Sequence, residues 1–401
     1  MKPSGPRDIA PVYGLKKSAA RSLWMTHQGP PTRNPIEFVT QNVWPWLKHY
    51  VSVMIHQRQP FKSYRVGNGI LPIASVSTIA VAADWGTGTI PAYKVANQIR
   101  SLEPHADVTI HMGDVYYSGT PDEYSDWFLG EEDWPRGTRH TFALNANHEM
   151  YSGGKGYFET ALDALKQETS YFCLETDYWR ILCLDSGYYS GIFPLLEKLW
   201  LSKIRLHDDI LRWLESVVFA DPTDSRPVVV LTHHQPFSAW DSGYVTLHKN
   251  LAPYLGRVVL WLWGHEHRFA GYGPVAVNGL PTIRGRCIGH GGMPIELTAP
   301  PMGARRTNLV FYDDRLDDEL SEIVREPAGY CGFAVLHLDG PELSIDYIDE
   351  NGEMLLRESW TGSGAATVGT VTAGTQELHV VHPDGLEALV QPIGTPQLVT
   401  R

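Results

Sequence analysis

The chain is short of cysteine, of charge and of long apolar runs, and each shortage closes off a class of protein. Only 4 cysteines (Cys173, Cys183, Cys287, Cys331) occur in 401 residues. They lie far apart with no CxxC pair, so reduced buried thiols are expected rather than a zinc ribbon or a disulfide framework. Charged residues make up 19% of the chain, against about 25% in an average globular protein. Hydrophobic residues make up 43%, enough to predict a large core rather than disorder. Basic residues are the minority, 33 against 45 acidic ones, for a formal net charge of −12. That balance argues against a binder of duplex DNA or anionic membrane, but not against a small anionic substrate held by metal ions. The start of the chain is basic, without the apolar core and small cleavage-site residues of a secretory leader. Its most hydrophobic stretch, Val43 to Ile55, is interrupted by Pro45, Lys48 and His49 and falls short of the ~20 apolar residues of a membrane span. A soluble cytoplasmic protein is the expectation.

What is present is punctuation and alternation. The 37 glycines and 28 prolines point to many turns and loops rather than a helical bundle. Residues 1–70 read as an N-terminal extension carrying one amphipathic helix, with Val39, Val43, Leu47, Tyr50, Val51 and Met54 at helical spacing. From 71 onward, β-branched runs begin at Thr78, Asp107, Arg139, Tyr178, Pro227 and Val258, each followed by a loop. Helical stretches intervene, one opening at Pro91 with Val95, Ile99 and Leu102 on one face and another from about Leu195 to Val218. Runs that are continuously apolar predict strands covered on both faces, hence a layered α/β core. A β-meander closes this unit near 360. Residues 361–377, small and nearly uncharged, read as a Gly/Thr-rich linker to a tail that ends at 401.

Hard metal-binding side chains recur at the carboxyl ends of five of those strands. In order they are Asp84, Asp114, Asn147 with His148, His233, and His265 with His267. Ligands bind at that edge of layered α/β sheets, where loops converge. Any one of these residues alone is better explained as a cap, a turn former or a surface histidine. Independent loops have no reason to place such groups at successive strand ends, so the set is read as a site. Two Asp, one Asn and the histidines offer O and N donors without thiolate, which suits Fe, Mn or Zn. Two ions at the ~3.5–4 Å spacing of a dinuclear hydrolytic centre must share a carboxylate, and Asp114 is the natural bridge. Such a pair lowers the pKa of a bridging water to give a hydroxide nucleophile and clamps phosphate oxygens.

The five blocks stand as Asp84-Trp85-Gly86, Gly113-Asp114-Val115-Tyr116-Tyr117, Ala146-Asn147-His148-Glu149, Val230-Leu231-Thr232-His233 and Gly264-His265-Glu266-His267. In this order they resemble the calcineurin-like metallophosphoesterase superfamily, and within it the purple acid phosphatases. The resemblance covers about 71–360 and implies a four-layer α/β/β/α sandwich of two mixed β-sheets flanked by helices. It implies that Asp84, Asp114, Tyr117 and His267 bind one metal and that Asp114, Asn147, His233 and His265 bind the other. His148 becomes the proton donor or phosphate-orienting residue. Many relatives carry a ligand His where Gly86 stands, and Tyr117 is the candidate replacement. A tyrosinate favours Fe(III), so Fe(III) with a divalent Fe, Zn or Mn is expected, with two divalent ions as the alternative. Ala146 stands where Gly is usual, and a positive φ there would cost about 1 kcal/mol or more. Weaker candidates for substrate contact are Asn147, His234 and His290; Glu149 is assigned to support, Trp85 to packing.

The activity these readings predict is metal-dependent hydrolysis of phosphate esters, as a phosphomonoesterase, on a small phosphorylated substrate. A phosphodiesterase acting on cyclic nucleotides or other diesters is the alternative. A nuclease would want a basic groove that −12 does not advertise, and an idle phosphate-binding module is disfavoured by the intact His148.

Overall fold

Each of the six β-branched runs becomes a strand, because a pleat with apolar side chains on both sides finds its minimum between two layers. The computed structural model describes residues 58–392 apart from 191–203, 277–278, 294, 302–306, 325–326 and 364–365. The strands β1 (Ile70–Pro72), β2 (Val76–Ala82), β3 (Val108–His111), β4 (His140–Ala143), β5 (Phe172–Glu175), β6 (Arg180–Leu184), β7 (Val228–Thr232) and β8 (Val258–Trp263) come first. They are followed by β9 (Phe269–Val275), β10 (Ile283–Ile288), β11 (Ile295–Glu296), β12 (Leu309–Tyr312), β13 (Ala328–Gly329), β14 (Gly332–Asp339), β15 (Glu342–Asp349), β16 (Met354–Ser363), β17 (Ala366–Ala373) and β18 (His379–Val380). The main helices are α1 (Ile90–Arg100), α2 (Pro121–Trp127), α3 (Asn147–Met150), α4 (Leu162–Leu165), α5 (Asp208–Trp213), α6 (Val245–Leu251) and α7 (Asp318–Val324).

A seven-stranded sheet has the order β17-β16-β15-β14-β2-β3-β4, and a nine-stranded sheet the order β1-β5-β6-β7-β8-β10-β9-β12-β18. Both are mixed. Parallel pairing joins β2, β3 and β4 in one and β6, β7, β8 and β10 in the other, so the carboxyl ends of those strands line one edge of each sheet. Side-chain alternation then sorts the residues into layers. Ile79 and Val81 of β2 meet Leu231 of β7 and Leu262 of β8 between the sheets. Ala80 and Ala82 face outward onto Val95, Ala96 and Ile99 of α1. Val228 and Val230 of β7 face the opposite way, onto Ile210 and Trp213 of α5 and Leu247 and Leu251 of α6. The result is the four-layer α/β/β/α sandwich. Helix α1 starts where Thr89 accepts from the Ala92 N–H, with Pro91 in the first turn and Arg100 in the last, as capping and the helix dipole favour.

Two segments depart from expectation. Residues 361–377 are not a linker: β17 pairs antiparallel with β16, from Leu356 opposite Ala373 to Ser363 opposite Ala366. Thr and Val alternate on a pleat as well as they populate a flexible tether, and Gly369 leaves room for the Trp360 ring, 2.6 Å from where a Cβ would stand. Beyond it, Ala388 and Leu389 are buried in the inter-sheet core. Within the helix expected over 195–218, residues 204–207 are non-helical and helix runs from Asp208 to Val218; 195–203 lie outside the described residues, as does the helix expected between Val39 and Met54. Residues 58–64 are strapped onto the domain. The Arg58 guanidinium donates to the carbonyls of Tyr188 and Ser190, Gln59 N–H to Gly153 O at 2.9 Å, and Phe61 stacks on His207 at 3.9 Å. All four cysteines are free and buried. Among the described residues no helix is long and apolar enough to cross a membrane.

Candidate metal centre

The strand ends deliver their side chains by turning sharply. Asp84, Asp114 and His265 have φ of 58°, 70° and 68°, a left-handed conformation that costs a non-glycine residue of the order of 1–3 kcal/mol and is retained where the surroundings fix it. Glycines make the turns possible. Gly113 has φ of 101°, and a Cβ on it would stand 2.5 Å from the Ala146 Cβ; one on Gly264 would stand 2.6 Å from Asp84 Oδ2. Ala146 itself is extended at φ −140°, so the strain foreseen for it does not arise, and its methyl occupies the space that Gly113 leaves bare.

Two groups of N and O atoms result, sharing Asp114. In the first, the Tyr116 hydroxyl lies 3.0 Å from Asp84 Oδ1, 3.0 Å from Asp114 Oδ2 and 3.0 Å from His267 Nε2, and His267 Nε2 is 3.5 Å from Asp84 Oδ1. In the second, Asn147 Oδ1 lies 3.0 Å from His233 Nε2 and 3.1 Å from His265 Nδ1, and His233 Nε2 is 3.4 Å from Asp114 Oδ2. The halves are tied by the His265 N–H, which donates to Asp84 Oδ2 at 2.9 Å. Ligating atoms of Asp84, Asp114 and His233 all fall within 4.8 Å of one another, as do those of His233, His234 and His265.

The phenol in the first group is Tyr116, where the sequence reading places Tyr117. The backbone of Tyr117 is held from both sides: its N–H donates to Glu123 and its carbonyl lies 2.7 Å from His148 Nδ1. Its ring packs edge-on against His148 at 5.5 Å, while Tyr116 turns over the carboxylates. Burial raises the Tyr117 phenol to about 12.

The electrostatics fit cations. Burial would raise Asp114, but the imidazoles of His148, His233 and His265 hold it well below the usual carboxylate range. Burial lowers His265 well below the usual imidazole range, with His234 and His233 adding to the effect, which keeps the ring neutral and able to coordinate. His233 Nδ1 lies 3.0 Å from Met112 O; donating there turns Nε2 toward Asp114 and Asn147, and against burial the Asp114 charge raises this imidazole to about 9, so that a cation would take the place of the Nε2 proton. Buried oxygen and imidazole donors converging without a thiolate are the set that Fe, Mn or Zn would take.

Residues 77–269, just under half the chain, match the family model for calcineurin-like phosphoesterases. Over those residues the chain carries the pattern of that family. No curated protein matches it in sequence. Among solved structures, the chain is similar to the purple acid phosphatase PPD1 from yellow lupin (Lupinus luteus) seeds, with 16% identity and a TM-score of 0.47 over 73% of this chain and 54% of that one. It is also similar to PhoD, with 12% identity and a TM-score of 0.47 over 75% of this chain and 72% of that one. The chain thus spans about half the length of the lupin protein.

The remaining sequence candidates separate cleanly. His148, at the start of α3, donates its backbone N–H to Asp114 Oδ1 at 3.2 Å and brings Nε2 to 3.8 Å from Asp114 Oδ2. Glu149 grips the turn from behind, accepting from the N–H groups of Asp114 and Val115 and from the Tyr124 hydroxyl; burial and the Asp114 charge push it up to about 8. His234 stands beside the second group, with a ring nitrogen within 4.8 Å of those of His233 and His265, while Ser186 Oγ lies 3.0 Å from its Nδ1 and Ser190 Oγ 3.4 Å from its Nε2. His290 is withdrawn: it is fully buried, stacked on Phe269 at 5.0 Å, so a substrate contact is not available to it. Trp85 packs in the helix layer, its indole N–H donating to Ala92 O. Sequence reasoning missed Tyr116 and Tyr244, whose hydroxyl is 3.4 Å from His265 Nε2; the doubled tyrosine after Asp114 was the available signal for the first.

Proposed function

We propose that this chain is a phosphomonoesterase working through two metal ions. The observation that carries this reading is the shared position of Asp114 between two convergent groups of N and O atoms; the match of its five blocks to the purple acid phosphatase pattern supports the monoester class. Asp84, Asp114, Tyr116 and His267 would hold one ion, with Fe(III) suited to the phenol, and Asp114, Asn147, His233 and His265 the other, a divalent Fe, Zn or Mn. When bound, the ions would supply the charge that acidifies a water and neutralises phosphate oxygens.

The protein groups have distinct tasks around that charge. His148 donates Nδ1–H to Tyr117 O, which turns Nε2 toward the Asp114 carboxylate and the substrate side. From there the imidazolium gives its Nε2 proton to the departing ester oxygen, which would otherwise leave slowly as alkoxide. Three tyrosines, Tyr116, Tyr117 and Tyr151, surround that ring at 4.3, 5.5 and 4.8 Å, limiting its rotation. Glu149 fixes the backbone on which Asp114 depends.

The test is metal analysis and substrate profiling on one preparation, using a chromogenic monoester and its diester with and without chelator. Two ions per chain and monoester turnover abolished by chelation are expected. Faster diester turnover would move the substrate class, and no metal-dependent turnover of either would leave only a phosphate-binding module.

A further inference from the structure

His265 offers two nitrogens, and only one arrangement of its single neutral-state proton suits an ion. Nδ1 lies 3.1 Å from Asn147 Oδ1, inside the second ligand group. Nε2 lies 3.4 Å from the Tyr244 hydroxyl, on the other side of the ring. Were the proton on Nδ1, it would be donated to the Asn147 oxygen and no lone pair would face the group. With the proton on Nε2, the ring needs an acceptor there.

We infer that Tyr244 is a positioning residue: its oxygen accepts the His265 Nε2–H, and so presents the Nδ1 lone pair to the place where an ion is shared with Asn147 and His233. The inference rests on the two-metal reading above. Tyr244 is held there by the backbone. Its N–H donates to Gln235 O at 3.1 Å, and the preceding Gly243 passes so close to the 236–237 segment that a Cβ would stand 2.3 Å from Phe237 Cα. His234 completes the bracket. The Ser186 hydroxyl accepts the His234 N–H at 3.0 Å and lies 3.0 Å from Nδ1, and Ser190 Oγ lies 3.4 Å from Nε2. Locked in this way, the His234 ring lies 4.7 Å from that of His265 and edge-on to Tyr244 at 5.2 Å. His265 is thereby held by a wall on one face and a hydroxyl at its tip.

The test is calorimetric titration of Mn(II) into metal-stripped full-length protein, wild type against Tyr244→Phe. Wild type is expected to take two ions; the variant should bind one with unchanged affinity and the other roughly 10- to 100-fold more weakly, the usual effect of removing a ligand's orienting partner. Equal affinities for both ions in the two proteins would overturn the role of Tyr244 and leave the two-metal reading standing. Fewer than two ions in wild type would overturn that reading and this inference with it. A second measurement needs no variant at position 244: ¹⁵N-histidine spectra of the Zn(II)-loaded wild type, with the His265 signals identified by their loss in His265→Gln. A proton on Nε2 with the ion on Nδ1 is expected, and the ion on Nε2 with a proton on Nδ1 would overturn the inference.

Discussion

Adjacent tyrosines make the sharpest test at the scale of single residues. Tyr116 touches both carboxylates and His267, whereas Tyr117 is committed through its backbone to Glu123 and His148. Iron-loaded protein is expected to show a visible tyrosinate-to-iron band that Tyr116→Phe abolishes and Tyr117→Phe retains. The opposite pattern would restore the assignment made from spacing alone. That assignment was out of reach of the sequence, because which tyrosine turns inward is decided by partners 6 and 31 positions further along the chain. The imidazoles and carboxylates were legible, since hard donors recur at the ends of five separate strands. His148→Ala should keep its metal complement while kcat falls roughly 10²- to 10⁴-fold, the range for a lost general acid. Undiminished turnover would remove His148 from the chemistry.

At the scale of elements, strands announced themselves through runs of β-branched residues, and their turns through glycine. β17 did not, because Thr, Val, Gly and Ala in alternation satisfy both a tether and an edge strand, and only its register against β16 decides. The packing of α3 against the β3 turn gives a second test. Gly113→Ala meets a left-handed φ, about 1–2 kcal/mol, and a clash with the Ala146 methyl, about 1–3 kcal/mol of overpacking. Adding Ala146→Gly should recover the second part and not the first. In urea unfolding, a double variant no more stable than Gly113→Ala would show that the two positions do not share the space.

For the molecule as a whole, acid sensitivity should trace in part to one buried histidine. Burial holds His290 at about 3, below its ordinary 6.5, so between those values the unfolded chain binds a proton that the folded chain refuses. The stability this protects is complete above pH 6.5 and is lost as pH falls from 6.5 toward 3, by about 1.4 kcal/mol per pH unit. Unfolding free energies measured from pH 7 to 4 should fall less steeply in His290→Leu than in wild type, by about one proton, and parallel profiles would refute this. The sheet order carries a practical corollary for anyone cutting the gene. Residues 77–269 contain every side chain of the centre, yet β2 lies between β3 and β14, and β14 begins at Gly332. A fragment trimmed to the matched span would bare the long flank of β2, leaving a sticky rim that recruits other molecules into aggregates before it can recruit a substrate.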